Sequence, residues 1–252
     1  KNRNEVENQL TYGEIDWDYF VKLSTEHLIL PALFCNFKRH DFLKYLPVDL
    51  VKYMTMVTQF NKNRNLEILK QAKELNSLLV SKNISPIFLK GTSNILNGLY
   101  IDIAERMISD IDFIVSKKDY IRAVDIIKKH GYDTINDISS YLPHFKHYPR
   151  LINKNKIAAV EVHKEMIIKK YKDEFNFLKV NNNRLKNNNF SFLSYDDQII
   201  ISIISNQIND NEFLFKRISL RNAYDVLLLC KKTSSINAAT YSDNLNLTIN
   251  CF

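Results

Sequence analysis

Arg106-Met-Ile-Ser-Asp110-Ile-Asp112-Phe-Ile-Val115 is the stretch on which the reading of this chain turns. Its branched and aromatic residues predict a β-strand. Successive side chains on a strand point to opposite faces, so Asp110 and Asp112 share one face, with Ile111 and Phe113 on the other. Two adjacent carboxylates repel each other. A hard divalent cation such as Mg²⁺ is the commonest reason to hold them together, because it prefers oxygen ligands. Replacing either aspartate with Asn is therefore expected to leave stability unchanged or raised. The pair is weak evidence alone. Acids are 28 of the 252 residues, and Ile15-Asp16-Trp17-Asp18 repeats the alternation in a stretch that reads as helix.

Composition sets the class. Hydrophobic residues are 45% and charged residues 25%, ordinary for a globular protein. No apolar run approaches the roughly 20 residues of a membrane span. The polar start of the chain predicts no signal peptide. Cys35, Cys230 and Cys251 are odd in number and far apart, which predicts free thiols in a reducing compartment, the cytoplasm. No Cys/His cluster has zinc spacing. The net charge of +7 suits a partner with phosphates, but the lysines are spread along the chain. A nucleic acid is thus compatible and not specifically indicated. Four glycines are too few for a glycine-rich phosphate loop of the Walker or dinucleotide type.

Taken in order, residues 1–82 read as a helical region. Asp16 caps a helix running through Trp17, Phe20, Leu28 and Ile29 to a stop near Pro31. A second helical stretch follows Pro47. A third covers about Asn61 to Ser81, with Leu66, Leu69, Ala72, Leu75, Leu78 and Leu79 on one stripe. Residues 83–180 read as an α/β core. Pro86-Ile-Phe-Leu89 is a short strand, Lys90-Gly91-Thr92 breaks it, and Ser93 to Tyr100 is a helix. Gly91 frees the backbone there, and the helix start offers N–H groups to phosphate. After the Asp110/Asp112 strand, Lys117 to His130 is an amphipathic helix stopped by Gly131. Phe145 to Ile152 and Ile157 to His163 form a hairpin, with Glu161 and His163 on one face of its second strand. The polar run 181–189 reads as a loop. Residues 190–252 form a second helical region with helices inside 196–232, the last being Leu220 to Cys230, and a loose tail. The expected class is α/β (α+β): a small mixed sheet flanked by helical regions.

A strand followed by Lys-Gly-Thr and a helix, a strand with two alternate aspartates, and a later strand with a third acid suit nucleotidyl transfer. On these residues the chain resembles the nucleotidyltransferases of the polymerase-β-like superfamily, most closely a broad bacterial set. The matching elements are Leu89-Lys90-Gly91, Arg106 ahead of Asp110-Ile-Asp112, Gly131-Tyr132, His147, and Val160-Glu161-Val162-His163. Trp17 and the Arg217…Asp225 region also match, so the likeness covers about residues 15–232. Gly91-Thr92 departs from the Gly-Ser or Gly-Gly of the wider superfamily. Glu161 stands where Asp is common, and Asn206 where a His is frequent.

The resemblance implies an enzyme that moves NMP from an NTP such as ATP to a hydroxyl acceptor and releases pyrophosphate. Asp110, Asp112 and Glu161 would be catalytic and bind Mg²⁺, with Mn²⁺ as a substitute. Lys90, Gly91, Thr92, Arg106 and Ser109 would bind the nucleotide, and His147 and His163 would support the triad. The acceptor is a small molecule, a protein side chain or an RNA end. The alternative on the same fold is a non-catalytic nucleotide-binding or toxin–antitoxin-type interaction protein. The oligomeric state is not legible in the sequence.

Overall fold

The computed structural model of the chain describes residues 2–134, 146–167, 175–206 and 215–233. Phe145, expected to open a strand, and the expected loose tail beyond residue 233 lie outside the described residues. The chain divides into two compact units: Lys1–Leu66 with Tyr100–Met107, and Glu67–Leu99 with Ile108–Phe252.

The first unit is helical. It holds α1 (Asn2–Tyr12), α2 (Trp17–Glu26), α3 (Leu30–Arg39) and the first half of α4 (Val48–Val80). Asp16 caps α2 as expected, its side chain accepting from the Tyr19 amide at 2.9 Å. Pro31, however, opens α3 rather than stopping α2, because its missing N–H costs nothing in a first helical turn. The core is Leu30, Phe34, Leu46 and Met54, with Trp17 and Phe20 against it. Buried Asn61 and Asn65 donate to the carbonyls of Ala104 (2.7 Å), Ile103 (2.6 Å) and Arg106 (2.7 Å). They hold the short turn Ile103–Glu105, which Asp102 caps.

The two helical stretches expected after Pro47 are one helix, α4, of 33 residues. No proline or glycine interrupts it. Its buried stripe is Met54, Thr58, Asn61, Asn65, Ile68, Ala72, Leu75 and Leu79. Leu66, expected inside, is 50% exposed. The stripe takes amides where an apolar pattern would miss them, because these amides bind loop carbonyls.

The second unit is a mixed α/β structure. Its strands are β1 (Ile87–Phe88), β2 (Asp110–Ile114), β3 (Asp133–Thr134), β4 (Leu151–Ile152), β5 (Ala159–His163), β6 (Leu185–Asn187) and β7 (Phe190–Phe192). The described residues form one sheet in the order β3-β4-β5-β2-β1-β7-β6. β2 runs parallel to β5 and antiparallel to β1, while β1 is parallel to β7. The helices are α5 (Lys90–Leu96), α6 (Tyr120–Lys129), α7 (Phe177–Asn182), α8 (Tyr195–Ile204) and α9 (Leu220–Leu229). Ile87, Ile114, Leu193, Ile200 and Ile204 belong to a fully apolar cluster beneath the sheet. Such side chains contribute about 1.5–3 kcal/mol each when fully buried.

Gly131, at φ 85°, terminates α6 as expected. The run 181–189 is not a loop: α7 ends in it and a β6–β7 hairpin turns at Asn188-Asn189, both left-handed. Asn tolerates that backbone, so a polar string encodes a tight turn. The expected strand ending at Ile152 is shorter than read, since Pro149 cannot donate to a ladder. Among the described residues of that expected strand, a single bridge, His147 to His163, precedes β4.

Candidate active site

The parallel register of β2 and β5 sets Asp112 beside Glu161, Asp110 beside Ala159 and Ile114 beside His163. Asp110, Asp112, Glu161 and His163 come together at this pair of strands. Ile111 and Phe113 are fully buried on the opposite side. Asp112 and Glu161 are themselves only 6% and 5% exposed. Two buried, adjacent carboxylates need compensation, and the neighbouring elements supply it.

Lys90 comes from the start of α5. Its backbone is left-handed, φ 51°, a conformation that costs a residue with a Cβ roughly 1–3 kcal/mol. Its Nζ lies 2.6 Å from Asp112 Oδ1 and 3.8 Å from Glu161 Oε2. The left-handed residue is thus Lys90, whereas the sequence placed the backbone freedom at Gly91; positive φ among the described glycines falls at Gly98 and Gly131. Helix α5 also begins three residues earlier than expected, which buries Gly91 and Thr92 in its first turn. The Thr92 hydroxyl donates to the Asp110 carbonyl at 2.9 Å, tying this turn to β2. Ser109 Oγ lies 3.0 Å from Asp110 Oδ2.

The imidazoles come from the β4–β5 side. His163 Nε2 lies 3.0 Å from Asp112 Oδ1 and 3.6 Å from Glu161 Oε2. His147 Nδ1 faces the Tyr148 carbonyl at 2.7 Å, so this nitrogen carries a proton. Its Nε2 then faces Glu161 Oε2 at 3.8 Å. Arg106 belongs to the first unit, where it is buried and its Nη1 donates to the Met107 carbonyl at 2.7 Å.

Arg150 was not singled out from the sequence. It donates from Nε to Glu161 Oε1 and from Nη2 to Asp110 Oδ2, both at 2.9 Å. The hairpin as read, turning at 153–156, sets Arg150 across from Ala159; the observed register, with Leu151 paired to Val160, sets it across from Glu161. Opposed charges across antiparallel strands are favourable pairs.

These cations divide the three acids. Burial works against ionisation of Asp112 and Glu161. Lys90 and the His163 hydrogen bond outweigh it and hold both carboxyls below their ordinary range. Burial is the larger influence at Asp110, where Glu161 and Asp112 add to it against Arg150, and its carboxyl is pushed up.

The donor set suits a divalent cation. Ligand atoms of Asp112, Glu161 and His163 lie within 4.8 Å of one another, all buried. Carboxylate oxygens are hard donors, and the imidazole adds affinity for first-row metals such as Mn²⁺. Asp110 adds a further oxygen from the same strand face.

A family described as uncharacterised nucleotidyltransferase matches residues 13–248. The chain belongs to this nucleotidyltransferase family. No curated protein matches it. The crystal structure of an antigenic nucleotidyltransferase-like protein from Paracoccidioides brasiliensis is similar over 73% of this chain and 89% of that one. The two share 15% identity at a TM-score of 0.42. Among the described residues of this nucleotidyltransferase, no helix is long and apolar enough to cross a membrane, and Cys35 and Cys230 are free thiols.

Proposed function

We propose that this nucleotidyltransferase moves an NMP group from an NTP to a hydroxyl acceptor and releases pyrophosphate, with Mg²⁺ as its metal. The observation that carries this reading is the paired register of Asp112 and Glu161, with Asp110 on the same face of the neighbouring strand. Three carboxylates gathered on one face offer the hard oxygen donors a divalent cation takes.

Asp110, Asp112 and Glu161 would hold Mg²⁺ or Mn²⁺, which when bound neutralises phosphate charge and stabilises the attacking and leaving oxygens. The acceptor oxygen bonds to the α-phosphorus as the bond to the pyrophosphate oxygen breaks, and the hydroxyl proton passes to the carboxylate cluster. Lys90, 32% exposed and 2.6 Å from Asp112 Oδ1, is placed to meet the phosphates as a point charge. Thr92 and Gly91 shape the turn that presents it, and Ser109 and Arg106 are the remaining nucleotide-side candidates. His163 orients Asp112 through its hydrogen bond, and His147, anchored on the Tyr148 carbonyl, stands 3.8 Å from Glu161 as a supporting residue. Residues 83–180 carry the catalytic core in this reading, and β7, inside the region 190–252, adds a strand to its sheet beside β1. The strand–turn–helix, the Asp-x-Asp strand and the third acid favour the polymerase-β-like superfamily as the wider class. Free thiols suit a reducing cytoplasm.

The test is incubation with each α-labelled NTP and Mg²⁺ in cell extract, parent beside Asp112→Asn. Label appearing on an acceptor only with the parent supports the reading. Binding of NTP with no transfer from any of them moves the assignment to a non-catalytic nucleotide-binding or interaction protein.

A further inference from the structure

We propose that Arg150 is a resident counter-ion of the acid cluster: it competes with the divalent cation for Asp110 and Glu161, and it leaves them when the cation binds. The proposal rests on the reading of this cluster as the metal site. It assigns to Arg150 the control of that site's metal affinity.

Three features single out Arg150. Its guanidinium spans two strands, with Nε on Glu161 of β5 and Nη2 on Asp110 of β2. It therefore occupies one oxygen of each of two acids that a cation would need. Second, its side chain is 57% exposed, whereas the acids it covers are 13% and 7% exposed. It approaches from the solvent side and can swing away on a long stem with little loss of packing. Third, the other cation is placed differently. Lys90 is 32% exposed and reaches Asp112 from a left-handed backbone at the start of α5. Lys90 belongs to the inner half of the cluster, Arg150 to the outer half.

Charge explains why the two cations cannot all stay. Asp110, Asp112 and Glu161 carry three negative charges, and Lys90 and Arg150 return two positive ones. A divalent cation added to that set would leave an excess of positive charge in a buried place. The arginine is the group whose departure costs least, since its side chain is 57% exposed against 32% for Lys90 and returns to water on leaving.

The experiment measures Mn²⁺ binding to the full chain without nucleotide, by loss of the free-ion electron paramagnetic resonance signal, alongside thermal unfolding. Arg150→Met keeps the stem and removes the charge. It is expected to bind Mn²⁺ at least about fivefold more tightly than the parent, the upper range of one exposed ion pair. Arg150→Lys keeps a charge but loses the planar fork, and is expected to fall between the two. Arg150→Gln, neutral and able to hydrogen-bond, gives the same measurement should the Met variant fail to fold. Equal or weaker Mn²⁺ binding by a folded neutral variant overturns the proposal and leaves the metal reading intact. An arginine with a merely structural role gives that result together with a lowered unfolding temperature. Binding by the variant but not by the parent supports both. Absence of Mn²⁺ binding from parent and variants alike sinks the metal reading and the proposal with it.

Discussion

Asp110 and Asp112 sit two positions apart on one strand face and experience opposite electrostatic settings. Lys90 and His163 hold the Asp112 carboxylate, while burial dominates at Asp110. The expectation that Asn at either position is neutral or stabilising therefore divides. Asp112→Asn leaves Lys90 and His163 facing an uncharged amide and should cost about 3 kcal/mol, the lower end for breaking a buried pair. Asp110→Asn should hold stability. Urea unfolding of both variants checks this; equal midpoints would show that Lys90 contributes nothing at Asp112. Glu161 separates binding from chemistry. With two acids left for the metal, Glu161→Gln should keep NTP binding within about tenfold, roughly 1.4 kcal/mol. Transfer should fall at least about a hundredfold, the low end of a positioned proton-transfer group. Calorimetry and radiolabel transfer measure the two, and transfer at parental level would remove Glu161 from the chemistry.

Individual elements are set by groups that a hydropathy pattern does not register. Gln71 on α4 is 2% exposed and grips the first residues leading into β5. Its Nε2 donates to the Ala158 carbonyl at 2.8 Å and to the Tyr132 hydroxyl at 3.1 Å, while its Oε1 accepts from the Ala158 amide at 3.1 Å. An amide here imitates a strand neighbour for backbone that has none. Gln71→Ala strands a buried N–H and C=O and should cost about 2 kcal/mol or more. Because β5 carries Glu161, the variant should also lower transfer while circular dichroism stays unchanged. A Gln71→Ala protein as stable as the parent would show that water replaces both bonds. The same blindness explains why α4 was read as two helices with Leu66 inside. Leucine spacing was legible in the sequence, but the Asn61 and Asn65 positions of the true stripe looked like solvent-facing residues.

At the scale of the whole molecule, the acid cluster makes folding sensitive to pH. Asp112 and Glu161 are held below their ordinary values, 3.8 and 4.5, so the unfolded chain takes up protons first as pH falls. Their contribution is fully present above about pH 4.5 and is lost as acid protonates the native carboxyls. Asp110, raised, has the opposite sign: its ionisation withdraws stability as pH rises through 3.8, its ordinary value. Urea midpoints between about pH 6 and pH 3 should fall for the parent, less steeply for Glu161→Gln, and more steeply for Asp110→Asn, which lacks the one group of opposite sign. A Glu161→Gln curve as steep as the parent's would place the acid sensitivity in other groups.

What the sequence by itself determined was local. The Asp110–Val115 alternation put two acids on one face, Glu161 and His163 followed the same period on a second strand, Asp16 capped α2, and Gly131 stopped α6. Each depends on backbone geometry and a few neighbours, so residue types carry it. Tertiary structure alone decided which strands are adjacent and therefore which charges meet. The pairing of Asp112 with Glu161 spans 49 positions and is set by parallel register; that of Lys90 with Asp112 spans 22 and depends on a left-handed residue that no propensity assigns to lysine. Both contacts of Arg150 were out of the sequence's reach: counting the hairpin from Ile152 and Ile157 sets it across from Ala159, the observed register sets it across from Glu161, and its second contact, to Asp110, exists only because β2 lies beside β5. Coulombic partners depend on distance in space, and the fold, not the order of residues, sets that distance.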